Sequence, residues 1–185
     1  HDELRKVYAG TADAKKNGRK AGDFSYNTGG LRCPACDGTG QISLDVQFLP
    51  DVDIPCPECH GSRYAKAAYG IKITNKAGVS RSLPELMAMD VHTALEFCKD
   101  MKNVRARLQV LQSLGLGYLT LGEDTPNLSG GEAQRLKLAS EMGKAQSDSV
   151  FVFDEPTVGL HPLDVRTLLV SDAYRERRVG RCDRA

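Results

Sequence analysis

Two C-x-x-C pairs constrain the fold of this chain more than any other feature of its sequence. Cys33 and Cys36 form the first pair, Cys56 and Cys59 form the second, and 19 residues separate the pairs. This spacing is typical of a structural zinc site, in which four thiolates lie about 2.3 Å from one tetrahedral metal ion. The sequence therefore predicts a small zinc module over residues 33–80.

Each pair is followed by a glycine two positions after its second cysteine. These glycines are Gly38 and Gly61. Because glycine adopts positive φ without steric cost, the backbone N–H groups beyond each pair can point at the sulfurs. Arg32, Arg63 and Lys66 are close in sequence and can offset the negative charge of a four-thiolate site.

Two other chemistries use cysteine pairs. Disulfides would suit a secreted protein, and a C-x-x-C pair would suit a thioredoxin-like redox site. The first residues contain no apolar stretch like that of a signal peptide, and a redox site would not need a duplicate pair. Structural zinc is therefore favoured, and Cys98 and Cys182 are interpreted as incidental thiols.

The charge balance excludes a uniformly basic nucleic-acid-binding surface, since 25 Lys and Arg face 24 Asp and Glu. Residues 41–60 nevertheless contain carboxylates without Lys or Arg, and residues 61–84 contain the reverse. Such a switch usually marks only a solvated surface. The basic stretch supplies weak candidates for DNA backbone contacts, namely Arg63, Lys66, Lys72 and Lys76.

A second motif, Leu-Ser-Gly-Gly-Glu at 128–132, opens a predicted helix. The free N–H groups and the dipole of a helix N-terminus attract anions, and Gly130 and Gly131 would let a phosphate approach beside the Ser129 hydroxyl. The same residues match an ordinary Ser-x-x-Glu capping box, in which Glu132 caps the helix. The motif alone supports both interpretations equally.

An apolar run at 150–153 leads directly into Asp154 and Glu155. A buried strand that ends in two carboxylates is the Walker B arrangement: the first can hold Mg²⁺, and the second can orient or deprotonate the attacking water. A bare Asp-Glu pair would most often lie in a solvated loop. Because this pair follows Ser129 by 25 residues, the combination resembles an ABC-type ATPase.

Further segments narrow the resemblance. Phe24-Ser-Tyr-Asn27, both cysteine pairs, Gly115-Leu-Gly-Tyr118 and Asp154-Glu-Pro-Thr157 occur in the order seen in the UvrA family, the damage-sensing subunits of the bacterial excinuclease. The resemblance runs from about residue 7 to about residue 169. Zinc knuckles ahead of an ABC signature motif are specific to that family, so the chain is identified as resembling part of its second nucleotide-binding half.

The resemblance implies an α/β fold: a partial ABC ATPase nucleotide-binding domain of the P-loop NTPase type, with a zinc-binding β-rich insert and a helical signature subdomain. It implies a lead-in segment at 1–32, the zinc module at 33–80, the signature subdomain at 81–145, and a truncated ABC core with an atypical tail at 146–185. It further implies a cytoplasmic homodimer that uses ATP and Mg²⁺, scans double-stranded DNA and loads UvrB at lesions in nucleotide excision repair. No apolar run approaches the roughly 18 residues of a membrane span.

The resemblance also implies individual roles at the nucleotide. The signature motif would contact a γ-phosphate held mainly by another P-loop, and the Walker B residues would serve Mg²⁺ and water. A following loop would face the opposite nucleotide site. In that order the residues are Ser129, Gly130 and Gly131 for the phosphate, Asp154 for Mg²⁺, Glu155 as the base, and His161 and Asp164 in the loop.

Three departures accompany the resemblance. The 185 residues contain no G-x-x-x-x-G-K-[ST] P-loop, so the isolated chain is expected to lack ATPase activity. After Leu169 the resemblance stops and an arginine-rich tail follows. One family glycine before the first cysteine pair is Leu31 here, which would alter how that loop approaches its target.

Two alternative functions remain. Residues 148–153 and 159–164 look more like UvrA-like paralogues, some of which are associated with tolerance of DNA-binding drugs. Residues 33–40 also resemble the zinc region of DnaJ-type chaperones, which would make the chain a peptide-binding module. Such chaperones would have four repeats, and the two ABC motifs have no place in them.

Overall fold

The computed structural model describes residues 1–45, 52–123 and 127–142. The chain divides into two compact units: His1–Met89 with Phe97–Asp100, and Asp90–Glu96 with the chain from Met101 onwards. Several sequence-predicted features lie outside the described residues. They are the strand at 150–153, Asp154, Glu155, His161, Asp164 and Cys182.

The first unit begins with helix α1, Asp2–Ala9. The Tyr8 side chain is fully buried, and its ring lies 5.9 Å from that of Phe24. Its hydroxyl donates a hydrogen bond of 3.0 Å to the carbonyl oxygen of Arg81. Tyr8 therefore ties the N-terminal helix to a segment more than 70 residues away.

Helix α2, Ala12–Lys16, occupies a segment whose polar composition predicts a loop over residues 11–20. That prediction is wrong. The Thr11 side chain accepts a hydrogen bond of 3.2 Å from the N–H of Ala14 and so caps the first turn. Ala14 is fully buried, and this contact stabilises a helix that has little other apolar surface. A short 3₁₀ helix, Ala21–Phe24, follows.

The described part of the first unit contains two antiparallel two-stranded sheets. Strand β1, Gln41–Leu44, pairs with β2, Val52–Pro55. The alternation of side chains at 42–48 predicts a strand, and residues 46–48 of it lie outside the described residues. Strand β3, Lys72–Thr74, pairs with β4, Ser80–Ser82. The sequence predicts a strand over residues 69–74, but only Lys72–Thr74 form it, because the 3₁₀ helix Lys66–Gly70 takes the first residues.

Helix α3, Leu83–Met87, begins at the capping box that the sequence predicts. Glu85 accepts hydrogen bonds of 2.7 Å from both the backbone N–H and the hydroxyl of Ser82. These bonds lower the pKa of Glu85 from its ordinary value of 4.5. The largest fully buried side chains of the first unit are Tyr8, Phe24, Leu31, Tyr64, Leu83 and Leu86.

The second unit contains three helices in its described part. Helix α4, Val91–Phe97, is capped by Asp90, which accepts a hydrogen bond of 2.7 Å from the N–H of Thr93. Helices α5, Lys102–Ser113, and α6, Gly130–Met142, pack through a small apolar cluster. Its buried members are Leu114, Leu116, Leu138 and Ala139. None of the described helices combines the length and apolar character that a membrane crossing needs.

Candidate metal centre and signature helix

The structure brings the four predicted thiols together in one buried cluster. The Sγ atoms of Cys33, Cys36, Cys56 and Cys59 all lie within 4.8 Å of one another. The Sγ atoms of Cys33 and Cys56 are 3.9 Å apart, and those of Cys36 and Cys59 are 3.7 Å apart. Ile42 of β1 packs against the cluster.

These distances fit zinc and do not fit disulfides. A tetrahedron with Zn–S bonds of about 2.3 Å has edges of about 3.8 Å, which is the separation of both measured pairs. A disulfide would need about 2.05 Å. All five cysteines of the described residues are free thiols, and four of them could hold one Zn²⁺ ion with a closed ligand set typical of structural sites.

Left-handed backbone at both cysteine pairs aims N–H groups at the sulfurs. Gly38 and Gly61 have φ of +84° and +85°, as their shared position in the two pairs predicts. The N–H of Gly40 donates a hydrogen bond of 3.3 Å to the Sγ of Cys36. The N–H of Cys56 donates one of 2.9 Å to the carbonyl oxygen of Gly40, so the two pairs hold each other in register.

The thiols of the cluster differ in acidity. Burial raises the pKa of Cys36, but the N–H groups of Gly40 and Gly38 and the neighbouring thiols outweigh it and lower that pKa to about 7. For Cys59 burial prevails and raises the pKa to about 12. Because thiolate is the form that binds metal, a cation in the cluster would remove the cost of ionising the buried thiols.

The signature motif forms the capping box at the N-terminus of α6. The N–H of Ser129 donates a hydrogen bond of 2.7 Å to Glu132, and the N–H of Glu132 donates one of 3.3 Å to the Ser129 hydroxyl. A Cβ atom added at Gly130 would meet no atom of the described residues within 4 Å. Capping is therefore observed here, and the phosphate role remains a prediction.

Most of the chain aligns with curated bacterial proteins. No family model matches the chain. It is 45% identical over 170 residues to the UvrABC system protein A of Bacillus subtilis, and 43% identical over 169 residues to that of Thermus thermophilus. The crystal structure of UvrA2 from Deinococcus radiodurans superposes with a TM-score of 0.80 at 40% identity, covering 97% of this chain and 21% of that one.

The chain belongs to the UvrA family. Both curated matches cover 91% of the chain, but the chain spans only 17% of the length of either relative. What the structure describes is therefore a segment of the UvrA architecture. The resemblance inferred from the motifs is confirmed, and the match to a solved UvrA2 structure supports its mixed helix and strand content.

The basic residues of this UvrA segment occupy different environments. Arg63 is buried, and its guanidinium lies 4.9 Å from the centre of the Tyr26 ring. Lys66 and Lys76 are both exposed. The Nζ of Lys66 lies 3.8 Å from a carboxylate oxygen of Glu58, and the Nζ of Lys76 lies 3.3 Å from one of Asp100. Lys72 is exposed on β3. The lysines are therefore better placed than Arg63 to reach a ligand.

Arg32 and Leu31 precede the first cysteine pair, and both make contacts within the fold of the first unit. Arg32 forms an ion pair of 2.8 Å with Asp37, inside the first knuckle. Leu31 is 1% exposed, so its side chain fills the core. Its carbonyl oxygen accepts a hydrogen bond of 2.9 Å from the N–H of Ala65. The sequence pattern around Leu31 does not indicate this core role.

Gly38 and Gly61, the glycines that follow the two cysteine pairs, allow a matched comparison of two alanine substitutions. A Cβ at Gly38 would lie 1.8 Å from the carbonyl oxygen of Tyr26, whereas one at Gly61 would meet no described residue within 4 Å. We expect Gly61→Ala to cost about 1–2 kcal/mol, because an L side chain is strained at positive φ. Gly38→Ala should cost about 1–3 kcal/mol more through the clash.

Urea unfolding and zinc retention against a chelator measure both effects. Gly38→Ala should unfold at lower urea and release zinc at lower chelator concentration than Gly61→Ala. Equal losses in the two variants would contradict the close packing of the first knuckle against Tyr26.

Proposed function

We propose that this chain is the zinc-bearing and signature-bearing segment of a UvrA-like ABC ATPase, which recognises damaged DNA and loads UvrB in nucleotide excision repair. The observation that carries the proposal is the 45% identity to a UvrABC system protein A over 91% of the chain. The buried cluster of four thiols supports it, since structural zinc fits both the geometry and the family. The whole protein would work as a cytoplasmic homodimer.

In this function the zinc module acts as a rigid support rather than as a reactive centre. Zinc held by the four cysteines would supply folding energy, as closed tetrahedral sites do. The two cysteine pairs would then fix the segment that begins at Arg63. This segment carries the exposed Lys66 and Lys72. These lysines would contact phosphates and position the protein without reading sequence.

The nucleotide chemistry would be divided between this segment and the rest of the chain. Ser129, Gly130 and Gly131 would contact the γ-phosphate, Asp154 would serve Mg²⁺, and Glu155 would activate water. The 185 residues lack a P-loop, so the β- and γ-phosphates would be held elsewhere in the assembled protein. His161 and Asp164 would belong to the loop that faces the opposite site.

The alternatives are less well supported. The curated relatives are UvrABC system proteins, which favours repair over drug tolerance as the role of this chain. A DnaJ-like peptide-binding module would not account for identity that extends over 91% of the chain, far beyond residues 33–40, which suggest it.

A chimera tests the repair role. Residues 1–169 of this chain replace the corresponding segment of Bacillus subtilis UvrA, and the chimera is expressed in cells that lack their own UvrA. We expect it to restore most of the ultraviolet survival that the parent UvrA gives. Cys98→Ser should leave this unchanged, since that thiol lies outside the metal cluster.

The outcome separates the candidate functions. A chimera that accumulates as soluble, zinc-loaded protein but improves survival only in a DNA-binding drug, and not after ultraviolet exposure, would favour the drug-tolerance role. Soluble, zinc-loaded protein without effect in either condition would reject both.

The DNA surface can be tested in the 185-residue chain. We expect weak duplex binding that falls with salt, and the pair Lys66→Glu and Lys72→Glu should reduce the slope of log K against log salt by about 2, near 0.9 for each lost phosphate contact. The matched control is Lys15→Glu with Lys16→Glu, which changes the net charge equally on the exposed side of α2. Equal weakening by the two pairs would show that only net charge matters.

A further inference from the structure

The hydroxyl of Tyr118 donates a hydrogen bond to Glu132 of the signature motif. Tyr118 is 59% exposed, so its ring is not held in place by burial in a core. An exposed tyrosine whose hydroxyl reaches a capping carboxylate orders both side chains, and ordering them costs conformational entropy. Because the contact orders two exposed side chains at this cost, we expect it to serve the function of the signature motif.

Glu132 is shared between two partners. One carboxylate oxygen accepts the bond from Tyr118, and the other accepts the 2.7 Å bond from the N–H of Ser129. The bonds from Tyr118 and from Ser129 lower the pKa of Glu132, with a smaller contribution from the Arg135 charge one turn further along α6. The carboxylate is thus held charged, and two donors define its orientation.

The loop that carries Tyr118 is itself fixed by the backbone. The N–H of His92 donates to the carbonyl oxygen of Gly117 at 3.0 Å, and the N–H of Val91 donates to that of Leu119 at 2.9 Å. The neighbouring Leu116 is fully buried in the cluster that joins α5 and α6. Tyr118 therefore projects from a backbone that is anchored on both sides of it.

We propose that Tyr118 is a positioning residue for the signature motif: by holding Glu132, it fixes the hydroxyl of Ser129 in the orientation that donates to the γ-phosphate. This inference rests on the proposed ATPase function. Tyr118 does not touch the nucleotide. It acts through Glu132, whose N–H donates to the Ser129 hydroxyl at 3.3 Å.

The first measurement is amide hydrogen exchange in the 185-residue chain. Tyr118→Phe keeps the ring and removes the donor, so the amides of Ser129 and Glu132 should exchange roughly threefold faster or more. The amide of Leu114, which donates to a carbonyl of α5, should be unchanged. Unchanged exchange at both Ser129 and Glu132 would overturn the proposal.

The second measurement is ATP turnover by the UvrA chimera. Tyr118→Phe should lower kcat roughly threefold to tenfold and change KM less than twofold, because another P-loop holds most of the nucleotide. Tyr69→Phe, which removes the hydroxyl of another exposed tyrosine, is the control. In a Glu132→Gln background the effect of Tyr118→Phe should shrink, since Tyr118 acts through that carboxylate.

The outcomes distinguish the inference from the function on which it rests. Faster exchange with unchanged kcat would make Tyr118 a helix-capping residue only and would overturn its role in the reaction. A chimera that folds, binds zinc and yet hydrolyses no ATP while Tyr118 is intact would overturn the proposed function, and the inference with it.

Discussion

Replacing Cys56 by serine should abolish zinc binding and unfold the chain around residues 33–64. The purified chain should carry about one zinc per molecule, because four Sγ atoms within 4.8 Å of one another can surround only one tetrahedral ion. Structural zinc contributes on the order of 10 kcal/mol to the folding of small domains at neutral pH. Among the described residues, the sheet beside the cluster consists of β1 and β2, whose side chains are mostly exposed and bury little apolar surface of their own.

Metal analysis, thermal unfolding and limited proteolysis measure this effect. Cys98→Ser is the matched control, because Cys98 is equally buried but lies outside the cluster. Zinc should also be released as the pH falls, since protons compete with the metal for the thiolates. Metal-free protein that unfolds at the same temperature as the zinc-loaded protein would reject a structural role for the metal.

In the UvrA chimera, Glu155→Gln should reduce ATP turnover at the nucleotide site that contains this residue by roughly 10²–10⁴-fold, while nucleotide binding stays largely intact. Glutamine preserves the shape of the side chain but cannot accept the proton of the attacking water. Binding depends instead on the P-loop that the rest of UvrA would supply. The 185-residue chain, which encodes no P-loop, should show no measurable ATPase activity and only marginal ATP affinity.

Turnover and nucleotide affinity of the chimera are compared with those of Glu58→Gln, a change of the same chemistry at an exposed position of the zinc module. Turnover that survives Glu155→Gln at this nucleotide site would assign the base to another residue. ATP hydrolysis by the 185-residue chain that is lost on Glu155→Gln would show that its phosphate site does not require a separate P-loop.

The sequence by itself determined the local features of this protein. The spacing within each C-x-x-C pair sets the thiol geometry, because a turn of four residues brings its two ends together wherever it occurs. The capping boxes that begin at Ser82 and Ser129 were predictable for the same reason, since their partners lie three residues apart. The order of the motifs along the chain also identified the family, because that order is a property of the sequence and does not depend on the fold.

The polar composition of residues 11–20 predicts a loop, but a single buried contact produces a helix there. Residues 11–20 are mostly charged or small, yet the fully buried Ala14 and the Thr11 cap produce a helix there. A composition argument averages over a segment, whereas one cap and one buried methyl group are enough to stabilise a short helix against the rest of the unit.

Only the tertiary structure decided the long-range contacts that give these motifs their context. Gly38 meets Tyr26 only once the first knuckle packs on the segment before it, and Arg63 is removed from the candidate DNA surface by its contact with the same ring. Tyr118 reaches Glu132 because α5 and α6 share an apolar cluster. Packing of this kind depends on side-chain volumes that meet across the fold, and sequence spacing does not contain that information.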